Sequence, residues 1–279
     1  KKKKLMVCIL TSGKLEYFRE SYNSVINQQS PQNLDWDLFI IVNTLNNEYY
    51  NTILNEYPNS NVIRTKSNGK SGKGHNSVLD FFESKSEYDN LFMLDGDDFL
   101  YPSALRHIEA FITQNDPEVL MLMGHDVLDD KIPAKNFIHM IISNKLFLRF
   151  NIPETKGNQW LKEKSINPFE NPIYKLNTMG RLILFSRESC KYKIRYDENC
   201  NLYDDFYPSM QFLELAYKKK NVLRTDDSNI YLYNTINSDS QTKKFFSDKK
   251  KIEEEEKIFR KSIKKNKEFN LIKDWDLSK

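Results

Sequence analysis

Four short apolar runs dominate the first third of the chain: Leu5–Leu10, Leu38–Val42, Val62–Ile63 and Leu91–Leu94. The runs hardly alternate with polar residues, so they read as strands buried on both faces, the kind found inside parallel sheets. The stretches between them carry apolar residues at helical spacing. Leu15, Phe18, Tyr22, Val25 and Ile26 form one stripe, and Tyr49, Ile53 and Leu54 a second. Val78, Leu79 and Phe82 form a third, in a helix expected from Asn76 after the glycine-bearing loop Ser67–Gly74. Strands alternating with helices predict an α/β fold with a mostly parallel central sheet flanked by helices. Ligands of such sheets bind beyond the carboxyl ends of the strands. Thr11, Ser12, Asn43, Thr44, Asp95 and Asp97 all lie just past strand ends, and are expected to share one crevice.

The rest of the chain continues less regularly. A helix with Leu105, Ile108 and Phe111 follows Pro102, and Val119–Met123 is a further strand. Pro133, Pro153, Pro168 and Pro172 then interrupt the pattern, so residues 124–178 read as an insertion on the acceptor side of the domain. Arg181–Phe185 returns to strand, a helix follows Asp204-Asp205, and Ile230–Tyr233 is the last clear strand. This divides the chain into a domain over residues 1–241 and a charged helical tail over residues 242–279. Between Lys243 and Lys279 there are 13 Lys+Arg against 8 Asp+Glu, while the whole chain of 279 residues has a net charge of only +3. The body is therefore near neutral, which argues against nucleic-acid binding. The basic tail suits docking on the body or peripheral contact with an anionic membrane surface, with a plain solvated helix as the alternative. No apolar stretch reaches the ~18 residues of a membrane span. Lys1–Lys4 lead directly into a strand rather than a secretory signal. The three cysteines fit no metal or redox spacing, and the expected setting is reducing and cytoplasmic.

The feature that carries chemistry is Asp95-Gly96-Asp97-Asp98, at the exit of the fourth apolar run. Asp and Gly favour turns, and a turn is the plain alternative. Three carboxylates within four positions repel one another unless a cation neutralises them. Oxygen ligands alone select a hard divalent ion, Mn²⁺ or Mg²⁺, which can bridge a diphosphate.

The segment Tyr88–Leu105 resembles the metal-binding segment of glycosyltransferase family 2: an apolar strand, a D-x-D-D cluster, an aromatic, a proline and a helix. Further likenesses come in the same order. Ser24-Val25-Ile26-Asn27-Gln28 resembles the family's "S-V-x-x-Q" helix end, and Asn68–Asn76 its glycine loop, ending here in His75-Asn76. Tyr196-Asp197-Glu198 with Asp204-Asp205 resembles its later acidic segment, and Tyr231–Ser240 its closing strand and turn. The resemblance spans about Leu5 to Gln241. It implies a GT-A, Rossmann-like fold and an inverting, metal-dependent hexosyl- or pentosyltransferase. Such an enzyme moves a sugar from a nucleotide diphosphate sugar, with UDP the expected nucleotide, to a glycan or other hydroxyl acceptor.

The resemblance also implies roles. Thr11, Ser12 and Asn43 would hold the nucleotide, Asn43 standing where the family usually has Asp; an Asx turn is its other reading. Lys73 and His75 would lie near the nucleotide, Asp95 at the ribose or base, and Asp97, with Asp95, at the metal. Asp205 would be the general base, with Asp204 the alternative; helix capping is the competing account of one of the two. The family's histidine near the closing strand is replaced by Asn234-Thr235-Ile236-Asn237. Asp97, diphosphate and water would then hold the metal, weakly without nucleotide. Trp160, Tyr174 and Asn177–Gly180 would shape the acceptor site. Two other readings stay open: a sugar-nucleotide nucleotidyltransferase, and a catalytically inactive sugar-binding module of the same fold.

Overall fold

A computed structural model describes residues 2–122, 125–126, 181–201, 204–217, 220–225, 230–234 and 248–265. The 124–178 insertion, with Trp160 and Tyr174, lies almost wholly outside the described residues, as do residues 177–180, 235–247 and 266–279.

Strand β1 (Lys3–Thr11) sits inside a seven-stranded sheet, between β2 (Leu34–Val42) and β4 (Asn90–Asp95), parallel to both. β3 (Asn61–Arg64) extends the sheet on one side. On the other, β4 is followed by β8 (Arg181–Ser186), β6 (Val119–Leu122) and β9 (Val222–Thr225). Within this sheet only β8 runs antiparallel to its neighbours. The expected mostly parallel α/β sheet is what forms.

Successive side chains of a strand point to opposite faces, and β1 is apolar on both. Leu5, Val7 and Ile9 face helices α1 (Leu15–Ile26), α2 (Asn47–Glu56) and α4 (Ala104–Asn115) through Phe18, Val25, Ile53, Leu105 and Ile108. Met6, Cys8 and Leu10 face α3 (Ser71–Glu83) and α5 (Phe206–Tyr217) through Val78, Leu79, Phe82, Phe212 and Leu215. Two helical layers therefore cover the sheet, which explains why its strands read as unbroken apolar runs.

The chain runs from β1 outward to β2 and β3, then returns through α3 to β4 on the other side of β1. The strand order reverses between β1 and β4, and that is where such sheets open a crevice. Two side chains of α1 hold the backbone beyond β4. Ser24 Oγ accepts from the Leu100 amide (3.1 Å). Gln28 donates to the Tyr101 carbonyl (2.7 Å) and accepts from the Leu105 amide (3.0 Å). The polar letters of the "S-V-x-x-Q" stretch thus fix the chain as it leaves the acidic cluster.

β5 (Phe99–Leu100), β10 (Tyr231–Tyr233) and β7 (His125–Asp126) form a small second sheet beside the cluster. Helix α6 (Lys249–Lys265) touches the body through Glu255, which is buried and accepts from the backbone amide (2.6 Å) and side-chain amide (2.9 Å) of Asn201. No helix among the described residues is long and apolar enough to cross a membrane.

Candidate active site

The exits of β1 and β4 meet at Gly96. Its amide donates to the Leu10 carbonyl (2.7 Å), and a Cβ there would stand 2.7 Å from the Thr11 Cβ. No other residue lets the acidic turn lie this close to β1. Thr11 is buried, and its hydroxyl is 2.5 Å from that of Tyr49 at the start of α2. Burial, chiefly, pushes the Tyr49 phenol up to about 12; Thr11 opposes this, while Tyr57 and Asp97 add to it. Asn43, at the β2 exit, is 2% exposed. Its amide donates to the Lys70 carbonyl (3.1 Å) and accepts from the Thr65 hydroxyl (2.9 Å). It braces the loop into α3, and Gly74 gives it room: a Cβ there would fall 2.3 Å from the Asn43 amide nitrogen. Ser12 and Lys73 are exposed.

Helix α3 begins at Ser71, five residues before the expected Asn76, so Gly72 and Gly74 lie in its first turn. A Cβ on Gly72 would be 2.2 Å from the Asp197 carbonyl oxygen. That close approach brings Asp197 and Asp204 onto α3. Asn76 secures it, accepting from the Tyr196 amide (2.8 Å) and donating to the Tyr196 carbonyl (3.1 Å). His75 is thereby set between two carboxylates. Its Nε2 is 2.8 Å from Asp95 Oδ1, its Nδ1 is 3.6 Å from Asp204 Oδ2, and its ring stacks on Tyr196 with centroids 4.4 Å apart. The longer distance is an ion-pair separation rather than a hydrogen bond, and Asp204 Oδ2 has no hydrogen-bond partner among the described residues. Burial lowers the imidazole pKa, but Asp95 and Asp204 together outweigh it and raise it to about 10.

Arg181, the first residue of β8, is the group that sequence reasoning missed. β8 pairs with β4 as far as Phe92 and Leu184, and Arg181, at the start of β8, reaches the carboxylates of Asp95 and Asp98 at the β4 exit. Its Nη1 pairs with Asp95 Oδ2 and lies 3.3 Å from Asp98 Oδ2, with the guanidinium over the Tyr233 ring at 4.9 Å. Asp98 is 1% exposed; Oδ2 also accepts from the Tyr231 hydroxyl, and Oδ1 from the Asn234 amide at 2.8 Å. Burial by itself would raise the Asp95 carboxyl, yet Arg181 and His75 hold it well below the usual carboxylate range. Burial and the nearby Asp97 push Asp98 up despite Arg181. Repulsion within the cluster, which from sequence alone asks for a metal, is thus relieved in large part by side chains.

A divalent ion could be held at this turn by Asp97, which is half-buried at the strand exits. It does not fit through Asp98, which is enclosed, nor readily through Asp95, whose two oxygens already meet cations. No three His, Cys, Asp or Glu side chains converge as a metal site among the described residues. Diphosphate and water oxygens would have to complete the shell, which hard cations accept.

Asp95, His75, Arg181, Tyr196, Asp204 and Asp205 line one cleft. Thr11, Asn43 and Asp97 stand at the neighbouring strand ends. Asp205, half-buried just before α5, has its carboxyl pushed up to about 6, first by burial and then by Asp204. Its carbonyl, rather than its carboxylate, anchors the first turn of α5 by accepting from Ser209.

No family model and no curated protein matches the chain. Solved structures do. S. aureus TarS matches with a TM-score of 0.56 at 17% identity, over 94% of this chain and 39% of that one. S. aureus TarS 1-349 in complex with UDP-GlcNAc matches with a TM-score of 0.55 at 18% identity, over 84% of this chain and 58% of that one. The same TarS fragment in complex with UDP gives 0.54 at 18% identity, over 84% and 60%. The chain thus spans less than two thirds of these proteins. At such identities the likeness shows the fold, the GT-A-like α/β arrangement expected from the sequence.

Proposed function

We propose that this chain is a nucleotide-sugar-dependent, inverting glycosyltransferase that passes a sugar from a UDP-sugar to a glycan or other hydroxyl acceptor. One observation carries the reading: the acidic turn after β4 and the Asp204-Asp205 pair, 106 to 110 positions apart in sequence, meet at the reversal point of a GT-A-like sheet. The UDP and UDP-GlcNAc held by the similar structures favour a uridine nucleotide.

In this reading the nucleotide lies over the β1 and β2 exits, with Thr11, Tyr49 and the Asn43-braced loop around it. The diphosphate reaches the Asp97 turn, where a bound Mn²⁺ or Mg²⁺ would neutralise charge on the departing nucleotide. Asp95, fixed by His75 and Arg181, faces the sugar end of the donor. The acceptor enters from the Asp205 side. Asp205 takes the proton of the acceptor hydroxyl as that oxygen forms its bond to the anomeric carbon. The bond from that carbon to the diphosphate oxygen breaks at the same time, so the configuration inverts. A carboxyl near 6 is well matched to a base working near neutrality. Asp204 orients His75 and adds to the shift of Asp205.

The test compares Asp205→Asn with Asp204→Asn, following UDP release and transfer from UDP-sugars with Mn²⁺. Asp205→Asn is expected to bind donor and to lose roughly 10²- to 10⁴-fold in transfer rate. Wild-type rates in both variants, or retained configuration at the anomeric carbon, would remove the carboxylate base from the mechanism. A wild-type protein that neither binds nor turns over any nucleotide sugar would sink the whole reading.

A further inference from the structure

We infer that Arg181 is an internal countercation that keeps Asp95 and Asp98 closed to a divalent ion, so that metal enters this site only together with a nucleotide diphosphate. The inference rests on reading the site as one for nucleotide sugars, but it concerns a different residue and a different event.

Three observations support it. First, Arg181 opens β8 and is paired with Leu122 of β6, so its backbone is held by the sheet. Second, one guanidinium nitrogen serves both carboxylates, and the group is seated over Tyr233. A guanidinium cannot shed its proton to make way for another cation. Third, the other oxygen of each carboxylate is engaged, Asp95 Oδ1 by His75 and Asp98 Oδ1 by the Asn234 amide, while Tyr231 shares Asp98 Oδ2 with Arg181. An incoming dication therefore meets a fixed positive charge and carboxylates that already have partners. A diphosphate reverses that balance, because its negative oxygens attract the dication and Arg181 alike.

The measurement is Mn²⁺ binding monitored by the loss of the free-ion EPR signal, on the full chain, with and without UDP. Wild type should leave the signal almost unchanged without nucleotide and quench it when UDP is added. Arg181→Gln removes the charge and keeps a polar side chain; it should gain Mn²⁺ binding without nucleotide by at least about tenfold in affinity. Arg181→Lys keeps a positive charge and should remain closed. Adding Asp95→Asn to Arg181→Gln should abolish the gain. Thermal melts establish that each variant is folded. Nucleotide-free Mn²⁺ binding by wild type as tight as its binding with UDP overturns the inference, even if Arg181→Gln does not fold. So does equal nucleotide-free binding by wild type and a folded Arg181→Gln. Failure of UDP to bind wild type with or without Mn²⁺ would instead count against the nucleotide-sugar reading, and the nucleotide-free comparison would still judge Arg181.

Discussion

Asp205 and His75 make opposite demands on pH. Asp205 must be ionised to accept a proton, and burial beside Asp204 raises its carboxyl to about 6. Transfer measured as kcat/KM is therefore expected to rise about tenfold per unit of pH below that point and to level off above it. A profile flat down to pH 4.5 would exclude Asp205 as the base. His75 acts on stability instead. Its pKa rises on folding from 6.5 to about 10, so the folded state binds the proton more tightly. The resulting stabilisation is complete below 6.5 and is lost as pH rises through about 10. Denaturant melts of wild type and His75→Gln should converge as pH rises from neutrality past 10; a gap independent of pH would show that His75 acts by packing alone. At this scale the sequence disclosed the acidic residues, because clustered carboxylates at a strand exit are visible in one dimension. Arg181 and Tyr49 stayed hidden. The partners of Arg181 stand 86 and 83 positions away in sequence, and Tyr49 reads as one more apolar position of a helix until its hydroxyl is found against Thr11.

Glycine shows why some elements were misread. Gly72 and Gly74 weaken a helix, and sequence reasoning assigned them to a loop. They nonetheless open α3, because neither site tolerates a Cβ: one faces the Asp197 carbonyl and the other the Asn43 amide. Gly72→Ala should push the 197–204 segment off α3, costing about 1–3 kcal/mol as overpacking does. On the proposed reading it should also slow transfer more than it weakens donor binding, since Asp204 and the base Asp205 belong to the acceptor side. Unchanged melting and unchanged kcat in Gly72→Ala would mean that the segment is not seated as described. The long buried strands and the helices between them were legible from their apolar spacing. β5, β7 and β9 were not: at two to four residues they carry no periodicity, and they exist only because neighbouring strands offer them hydrogen bonds.

For the molecule as a whole, docking on the body was one of the expectations for the C-terminal helix, and α6 is joined to the body where Glu255 meets Asn201. Losing a carboxylate that accepts two hydrogen bonds should cost about 1–3 kcal/mol. Glu255→Ala should therefore raise amide exchange around Asn201 and lower kcat with little change in donor affinity; an unaltered exchange pattern would show that the helix docks by other contacts. Arg181 bears on the assembly of the entire sheet. β8 is the one strand that enters the sheet from the end where all its neighbours leave, so its first side chain arrives among their carboxylates. A slip of one position would draw Arg181 away from Asp95 and Asp98, leave the buried Asp98 without its cation, and turn every β8 side chain to the wrong face. The ion pair thus acts as a checksum on strand pairing, an error signal that the apolar residues of β8 alone would transmit less sharply. A chain with the wrong register would be betrayed first where its chemistry is meant to occur.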